Sequence, residues 1–296
     1  TDTPVNEAGL GSVEGDEVAA AERHRDCADG HFAVAEDPLR RLQGPFGGIR
    51  ATFAAVAAQV FDVPVAVPSP GEYVARGAAR VLVLASPHTS GFADRLALPG
   101  EVTIFDAIPG EPDIATFEAA LDAARAARPD LVVGLGGGSV LDAAKLVAAM
   151  WDGTQTLDDV AGPNRVAGRR TRLAQVATTA GTGSEATNIT ILTTGETTKM
   201  GIVSHQLYAD RVLLDAALTT GLPPVQTAAT GIDAMVHAIE AFTSKNRKNP
   251  ISDQLAKQAL ALLSANIRTA CTDGTNVEAR SGMLLGSMLA GMAFAN

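Results

Sequence analysis

The sequence predicts an α/β fold with a parallel sheet, followed from about Leu222 by an all-helical region. From Arg80 onward, short apolar runs alternate with helical periodicity, and one of these runs ends in three consecutive glycines before a helix. After Leu222 every periodic stretch is helical. Because short strands that alternate with helices are typical of parallel sheets, we expect an α/β domain over residues 1–222 and a helical domain over residues 223–296.

The strands begin with residues 80–85 and 101–108, and a helix is expected over residues 112–130. Its apolar face is formed by four residues: Ile114, Phe117, Leu121 and Ala124. A third strand precedes the glycines. The short β-rich segments that follow are expected to complete the sheet: residues 174–179, 188–194, 199–204 and 211–215. Helices are expected at residues 223–243, 250–272 and 277–296.

The composition and charge of the chain limit which classes of function are possible. The chain has 296 residues, 46% of them hydrophobic, and a formal net charge of −10. It is long enough to bury a substantial core. An acidic chain offers no basic surface to a phosphate backbone, so we expect no nucleic-acid partner.

Cellular context is predicted from the cysteines and the apolar runs. Cys27 and Cys271 are far apart, which suits a reducing compartment and predicts no disulfide framework. The first residues resemble no secretion signal and lack an initiator Met, and the apolar run at residues 283–295 is too short to span a bilayer. We therefore expect a cytoplasmic protein with no membrane role.

The stretch "LVVGLGGGSVLDAAK" places Gly136, Gly137 and Gly138 between a buried strand and a helix. Neither the G-x-G-x-x-G fingerprint nor a P-loop is met. Without Cβ atoms, however, the turn lets backbone N–H groups approach an anion at the positive end of the helix. We interpret it as a pyrophosphate-binding turn; the alternative is a tight turn without a ligand.

A second loop, "TTAGTGSEATN" at residues 178–188, also follows a strand and combines glycines with hydroxyl side chains. Alone it is an ordinary turn. Two such loops at the ends of strands of one sheet can line a common cleft and contact a dinucleotide.

The stretch "GIDAMVHAIEAF" places Asp233 and His237 four residues apart, on one face of a helix, where both can reach one divalent ion. Spacing alone favours the alternative of a local hydrogen bond on a solvated face. The other histidines are expected to be exposed or structural: His24, His31, His88 and His205.

Together the three motifs resemble the iron-containing (group III) alcohol dehydrogenases, in order and in approximate spacing. The resemblance runs from about Arg80 to the last residue, residues 1–75 match poorly, and residues 44–60 resemble a divergent opening strand and helix. It implies the dehydroquinate synthase-like fold, with an α/β NAD(P)-binding domain and a partial helical domain that holds a metal.

The resemblance also assigns roles. Gly136, Gly137, Gly138 and Ser139 would hold the pyrophosphate, and Asp142 would support that turn. Lys199 would reach the ribose near the nicotinamide and would be a catalytic residue. The dinucleotide would be flanked by Thr178, Thr179, Thr182 and Leu218. Asp233 and His237 would be catalytic as the first two ligands of Fe(II) or Zn(II).

Two departures from the family pattern matter. Many members carry an acidic residue where this chain has Ser86, so the resemblance implies that NADP is tolerated as well as NAD. The third and fourth metal ligands of the family are histidines beyond the segment that matches the last residues here. Because the helical domain then loses packing partners, we expect four residues to be more exposed than in complete relatives: Met283, Leu284, Leu285 and Met288.

The implied function is a metal-dependent, NAD(P)-linked alcohol dehydrogenase or aldehyde reductase that acts on a small alcohol or aldehyde and forms a homo-oligomer. Two alternatives remain. One is a polyol or hydroxyacid dehydrogenase of the same fold. The other is a catalytically inactive NAD(P)-binding chain that lacks half of the metal site.

Overall fold

The computed structural model describes residues 69–195 and 198–295. The strands are β1 (Arg80–Ala85), β2 (Glu101–Phe105), β3 (Leu131–Gly136), β4 (Gly162–Pro163), β5 (Arg172–Ala177), β6 (Ile189–Thr193), β7 (Lys199–Val203) and β8 (Arg211–Leu213). The helices are α1 (Pro70–Ala75), α2 (Phe92–Leu96), α3 (Ile114–Ala127), α4 (Gly138–Met150), α5 (Leu157–Val160), α6 (Pro224–Thr243), α7 (Pro250–Thr272) and α8 (Val277–Ala295). The expectations for Cys27, His24, His31 and residues 44–60 concern positions outside the described residues.

The main sheet has five strands in the order β2-β1-β3-β5-β8, and every neighbouring pair is parallel. Strand β3 lies at its centre, and all six of its residues are buried. A parallel sheet covered on both faces requires such continuous apolar strands. The predicted parallel α/β architecture is therefore confirmed, and the glycines after β3 emerge at the middle of the carboxyl edge.

The prediction that residues 188–194 and 199–204 complete this sheet is wrong. Strands β6 and β7 pair antiparallel, with Ile189 opposite Val203, and join β4 in a separate three-stranded sheet. The reason is the short connection between them, which allows a hairpin, whereas parallel neighbours need a long crossover. The segments at 174–179 and 211–215 do enter the main sheet as β5 and β8.

Helices cover both faces of the main sheet. Phe117, Leu121 and Ala124 of α3 are buried against α4, and Ile114 packs half-buried beside them, as the periodicity predicts. Helices α1 and α2 contribute Val74, Ala75, Ala93 and Leu96 to the core on the opposite face. Ten of the thirteen residues of α4 are buried, so this helix lies inside the molecule.

Helices α6, α7 and α8 pack against one another and follow the sheet. The four side chains of α8 that were expected to be more exposed than in complete relatives are largely covered: Met283, Leu284 and Met288 are at most 6% exposed, and Leu285 is half-buried. Residues of α6 and α7 pack against Met283, Leu284 and Leu285, because small residues such as Ala234, Ala259 and Gly286 let the helices approach closely. Within the described ranges, no helix is long and apolar enough to cross a membrane.

Candidate cofactor and metal site

The glycine turn joins the end of β3 to the start of α4. Gly137 precedes the helix in an extended conformation, and its carbonyl accepts hydrogen bonds from the N–H groups of Val140 (3.0 Å) and Leu141 (3.1 Å). No side chain of the described residues caps this turn. The amides of Gly138 and Ser139 therefore have no intrahelical partner, and the positive end of a 13-residue helix is open to an anion.

The second loop occupies the space that side chains on these glycines would need. A Cβ atom on Gly137 would lie 3.2 Å from the hydroxyl of Thr179, and one on Gly138 would lie 2.8 Å from the hydroxyl of Thr182. A Cβ atom on Gly136 would meet Val140 of the same turn at 2.7 Å. The absence of side chains thus permits close packing of the second loop against the glycine turn.

The same second loop contacts the helical region. A Cβ atom on Gly181 would lie 2.8 Å from that of Thr230, which is one turn before Asp233 on α6. Gly183 has a positive φ of 60°, and its backbone lies directly against Gly291 of α8. Residues 178–188 therefore connect the glycine turn to the helix that carries the Asp–His pair.

Replacing Gly291 with Ala should lower the free energy of unfolding by about 1–2 kcal/mol, because overpacking outweighs the roughly 1 kcal/mol gained in helix propensity. The new Cβ atom would lie 2.5 Å from the carbonyl oxygen of Gly183, and backbone cannot rotate away as a side chain can. Urea unfolding measures the change. Gly168→Ala is the control, since a Cβ atom there meets nothing within 4 Å. Equal stability of both variants would contradict the contact.

Beneath the two loops lies a lysine that the sequence motifs do not single out. Lys145 of α4 is 0% exposed, and its ammonium has four oxygen neighbours within 3.2 Å, one more than its three N–H groups. These acceptors are Asp142 Oδ1, Ser184 Oγ, Thr187 Oγ1 and the carbonyl of Ile189. Burial lowers the pKa of Lys145, and the negative charge of Asp142 opposes that shift.

Asp142 completes this cluster and faces the second loop. Its Oδ1 accepts a hydrogen bond from the Ser184 hydroxyl at 2.5 Å, and its Oδ2 accepts one from the N–H of Ile191 at 2.9 Å. Asp142 and Lys145 therefore join α4, the second loop and β6 through bonds that reach across at least 39 residues.

Glu185 of the second loop is also buried. Burial raises the pKa of its carboxyl to about 7, against the opposing effects of its own backbone N–H and of the charge on Lys145. A carboxyl group that titrates near neutral pH thus lies beside the Lys145 ammonium.

The remaining positions assigned to the cofactor differ in their surroundings. Ser86 follows β1, and its N–H donates to Thr89 Oγ1, which donates to the carbonyl of Leu135 at 2.8 Å, so Ser86 lies near the glycine turn. Thr178 is buried and Thr182 is exposed. The side chain of Leu218 is 3% exposed and packs in the core on one face of the sheet.

Asp233 and His237 face each other on α6, with 3.4 Å between Asp233 Oδ2 and His237 Nε2. Two ligands of a tetrahedral ion at about 2.1 Å lie roughly 3.4 Å apart, so this pair fits two corners of such a site. His237 also packs edge-on against Phe294, with the ring centroids 5.2 Å apart. Its Nδ1 is buried and has no hydrogen-bond partner among the residues described.

The described ranges contain no group of three or more Asp, Glu, His or Cys side chains that could hold a metal. The donor set at hand is therefore one carboxylate and one imidazole, a combination suited to Fe(II) or Zn(II). Both remain accessible, since the side chain of Asp233 is 48% exposed and that of His237 is 26% exposed.

Sequence reasoning missed Lys145, Ser184 and Glu185, as well as the contact between Gly183 and Gly291. For Lys145 a signal exists: it is the single charged residue besides Asp142 in a helix that is otherwise small or apolar. Lysine is almost never fully buried unless it is paired. A lysine in such a helix therefore indicates an interior group that has a partner. The glycine contact leaves no comparable local signal.

The turns at the strand ends of the open parallel sheet meet a helical region that carries an Asp–His pair. This arrangement defines the class of protein: the two-part dehydroquinate synthase-like fold. The chain belongs to the iron-containing alcohol dehydrogenase family. The family model described as iron-containing alcohol dehydrogenase matches residues 64–216, and the C-terminal model of the Fe-containing family matches residues 227–296. The resemblance inferred from the motifs is confirmed.

Among curated relatives, a sulfoacetaldehyde reductase of Bilophila wadsworthia is 44% identical over 187 residues, which are 63% of this chain and 48% of that protein. A long-chain-alcohol dehydrogenase of Geobacillus thermodenitrificans is 41% identical over 235 residues, 74% of this chain and 58% of that protein. This chain thus spans about half of the length of the first relative and less than two thirds of the second.

Solved structures share the fold. A sulfoacetaldehyde reductase from Bifidobacterium kashiwanohense in complex with NAD+ superposes with a TM-score of 0.68 at 30% identity, covering 82% of this chain and 62% of that one. A 1,3-propanediol oxidoreductase superposes with a TM-score of 0.70 at 32% identity, covering 83% and 62%. The predicted α/β and helical architecture is confirmed by these neighbours.

Proposed function

We propose that the chain belongs to a metal-dependent, NAD(P)-linked alcohol dehydrogenase or aldehyde reductase that acts on small alcohols or aldehydes. Family membership supports an oxidoreductase, and the named relatives act on sulfoacetaldehyde and on long-chain alcohols. A solved neighbour was determined with NAD+.

One observation carries the proposal: a single loop, residues 178–188, touches both the glycine turn and α6. The turn exposes helix amides suited to a diphosphate, and Asp233 lies one turn, about 5 Å, along α6 from the contact at Thr230. A dinucleotide seated on the turn would therefore have its reactive end within reach of the Asp–His pair.

Each residue of the candidate site has a separate role in this proposal. The amides of Gly138 and Ser139 bind the diphosphate, Lys199 holds a ribose hydroxyl, and Thr179 and Thr182 border the cofactor. Asp233 and His237 would hold the cation, which would polarise the hydroxyl or carbonyl oxygen of the substrate. Positioning of the carbinol carbon against the nicotinamide is then the contribution of the protein to hydride transfer.

Ser86 bears on cofactor choice. It follows β1 at the carboxyl edge of the sheet, beside the glycine turn, and its neutral hydroxyl does not repel a 2′-phosphate. Both NAD and NADP are therefore accepted in this proposal.

The activity test is aldehyde reduction by NADH and NADPH in the presence of Fe(II) or Zn(II), with sulfoacetaldehyde, 3-hydroxypropanal and a long-chain aldehyde as substrates. Asp233→Asn and His237→Ala should each lower kcat/KM more than about 100-fold, since even groups behind the ligands contribute 10–100-fold. His205→Ala, at an exposed histidine outside the site, is the matched control and should be unchanged.

Calorimetry with the same chain separates the alternatives. Binding of NAD(H) without metal uptake or turnover would support the inactive dinucleotide-binding chain, because the part of the chain that the structure describes assembles only the two donors Asp233 and His237. Turnover confined to diols or hydroxyacids would support the second alternative. Failure to bind any dinucleotide would refute the proposal itself.

A further inference from the structure

Glu111 joins two residues that the proposed function assigns to the cofactor. Its backbone N–H donates a hydrogen bond to Ser139 Oγ at 3.1 Å, and its Oε1 accepts one from the Lys199 ammonium at 2.7 Å. Glu111 is 28 residues from Ser139 and 88 from Lys199, so only the fold brings the three together.

The backbone at Glu111 is held in an uncommon conformation. Its φ is +57°, in the left-handed region that residues with a Cβ atom rarely adopt. The next residues anchor this position, because the carbonyl of Pro112 accepts a hydrogen bond from the N–H of Thr193, and Asp113 caps α3. The backbone of Glu111 is thereby held in place, while its carboxylate reaches Lys199 through a side chain that is open to solvent.

Both side chains of the ion pair are open to solvent, with Glu111 70% exposed and Lys199 51% exposed. A ligand can therefore reach the ammonium. The hydrogen bond and charge of Lys199 lower the pKa of Glu111, so the carboxylate is ionised at neutral pH. Exposed ion pairs are weak, so Glu111 can be displaced from Lys199 by a competing group.

We propose that Glu111 sets the affinity of the dinucleotide site, because its carboxylate competes with the bound cofactor for the ammonium of Lys199. The inference rests on the proposed function, since it takes Lys199 as a cofactor-binding residue. Glu111 acts through Lys199 and is a positioning residue. When the cofactor binds, the Lys199 ammonium exchanges its contact with the Glu111 carboxylate for a contact with the cofactor. The loss of the first contact reduces the net free energy gained on cofactor binding.

Glu111→Gln tests this directly. The amide has nearly the same shape and the backbone bond to Ser139 is kept, but the competing charge is lost. Titration of the full chain with NAD+ and with NADH should give a Kd about two- to five-fold lower than wild type, the range expected for an exposed ion pair. The difference should shrink at high salt. The KM for the nicotinamide cofactor should fall while the KM for aldehyde stays unchanged.

Two further variants make the result specific. On a Lys199→Met background, Glu111→Gln should give no further tightening, because the group it competes for is gone. Asp122→Asn removes a carboxylate from another exposed ion pair, with Arg125, and should leave cofactor binding unchanged.

Unchanged or weaker binding by Glu111→Gln, with wild-type binding intact, would overturn the inference alone. If neither wild type nor variant binds a dinucleotide, both the proposed function and this inference fail. Thermal unfolding of each variant excludes a loss of fold as the cause.

Discussion

Replacing Lys145 with Met should lower the free energy of unfolding by about 3–5 kcal/mol, the effect typical of removing one partner from a buried charge pair. The methionine fills the volume of the lysine but leaves the carboxylate of Asp142 without its counter-charge. It also removes the hydrogen bonds that the ammonium donates to Thr187 Oγ1 and to the carbonyl of Ile189. Urea unfolding followed by circular dichroism measures the change.

The matched control is Arg125→Met, which breaks an ion pair with Asp122 in which both side chains are more than half exposed. It should change the free energy of unfolding by less than about 1 kcal/mol. Asp142→Asn combined with Lys145→Met should be less harmful than the sum of the single changes, because the stranded charge is then absent. Equal effects of Lys145→Met and Arg125→Met would refute the interior pairing.

Glu185 should make the folded chain less stable as the pH rises from about 4.5 to about 7. Burial raises the pKa of this carboxyl from 4.5 to about 7, so the folded chain holds the proton more tightly than the unfolded chain does. Below the pKa values of both states, Glu185 is protonated and its burial does not lower the stability. Above the pKa of the folded state, a charged carboxylate is buried, which lowers the stability. At 1.36 kcal/mol per pKa unit, the loss across this interval is about 3 kcal/mol.

Glu185→Gln isolates this carboxyl from the other groups that titrate. The free energy of unfolding of wild type minus that of the variant should fall between pH 4.5 and 7 and stay level above pH 7. Because the charge on Lys145 lowers the pKa of Glu185 in the folded chain, the fall should still begin near pH 4.5 in a Lys145→Met background but should extend to higher pH and become larger. A difference that does not vary with pH would show that folding does not raise the pKa of Glu185.

Part of the candidate site could be predicted from the sequence because its signals are local. The glycine turn follows its strand directly, and Asp233 and His237 are four residues apart on one helix. Strand and helix periodicities likewise locate β1, β3 and α3 from short windows. The hairpin of β6 and β7 was misassigned because periodicity identifies a strand without giving its pairing partner.

Other contacts left no local signal that identifies both partners. The ion pair of Glu111 with Lys199 joins residues 88 apart, and the bond from Lys145 to Ser184 spans 39 residues. The close approach of Gly183 to Gly291 depends on how α8 meets the second loop. Each contact depends on the packing of elements that are distant in sequence.

The sequence by itself determined that this chain alternates strands and helices before a helical region, and that it carries a glycine turn and an Asp–His pair. These features follow from backbone preference and side-chain periodicity within a few residues. Only the tertiary structure decided that residues 178–188 touch both the turn and α6, and that Lys145 holds this loop from beneath. The reason is physical: burial and charge pairing depend on which surfaces meet, and no short window of sequence contains both surfaces.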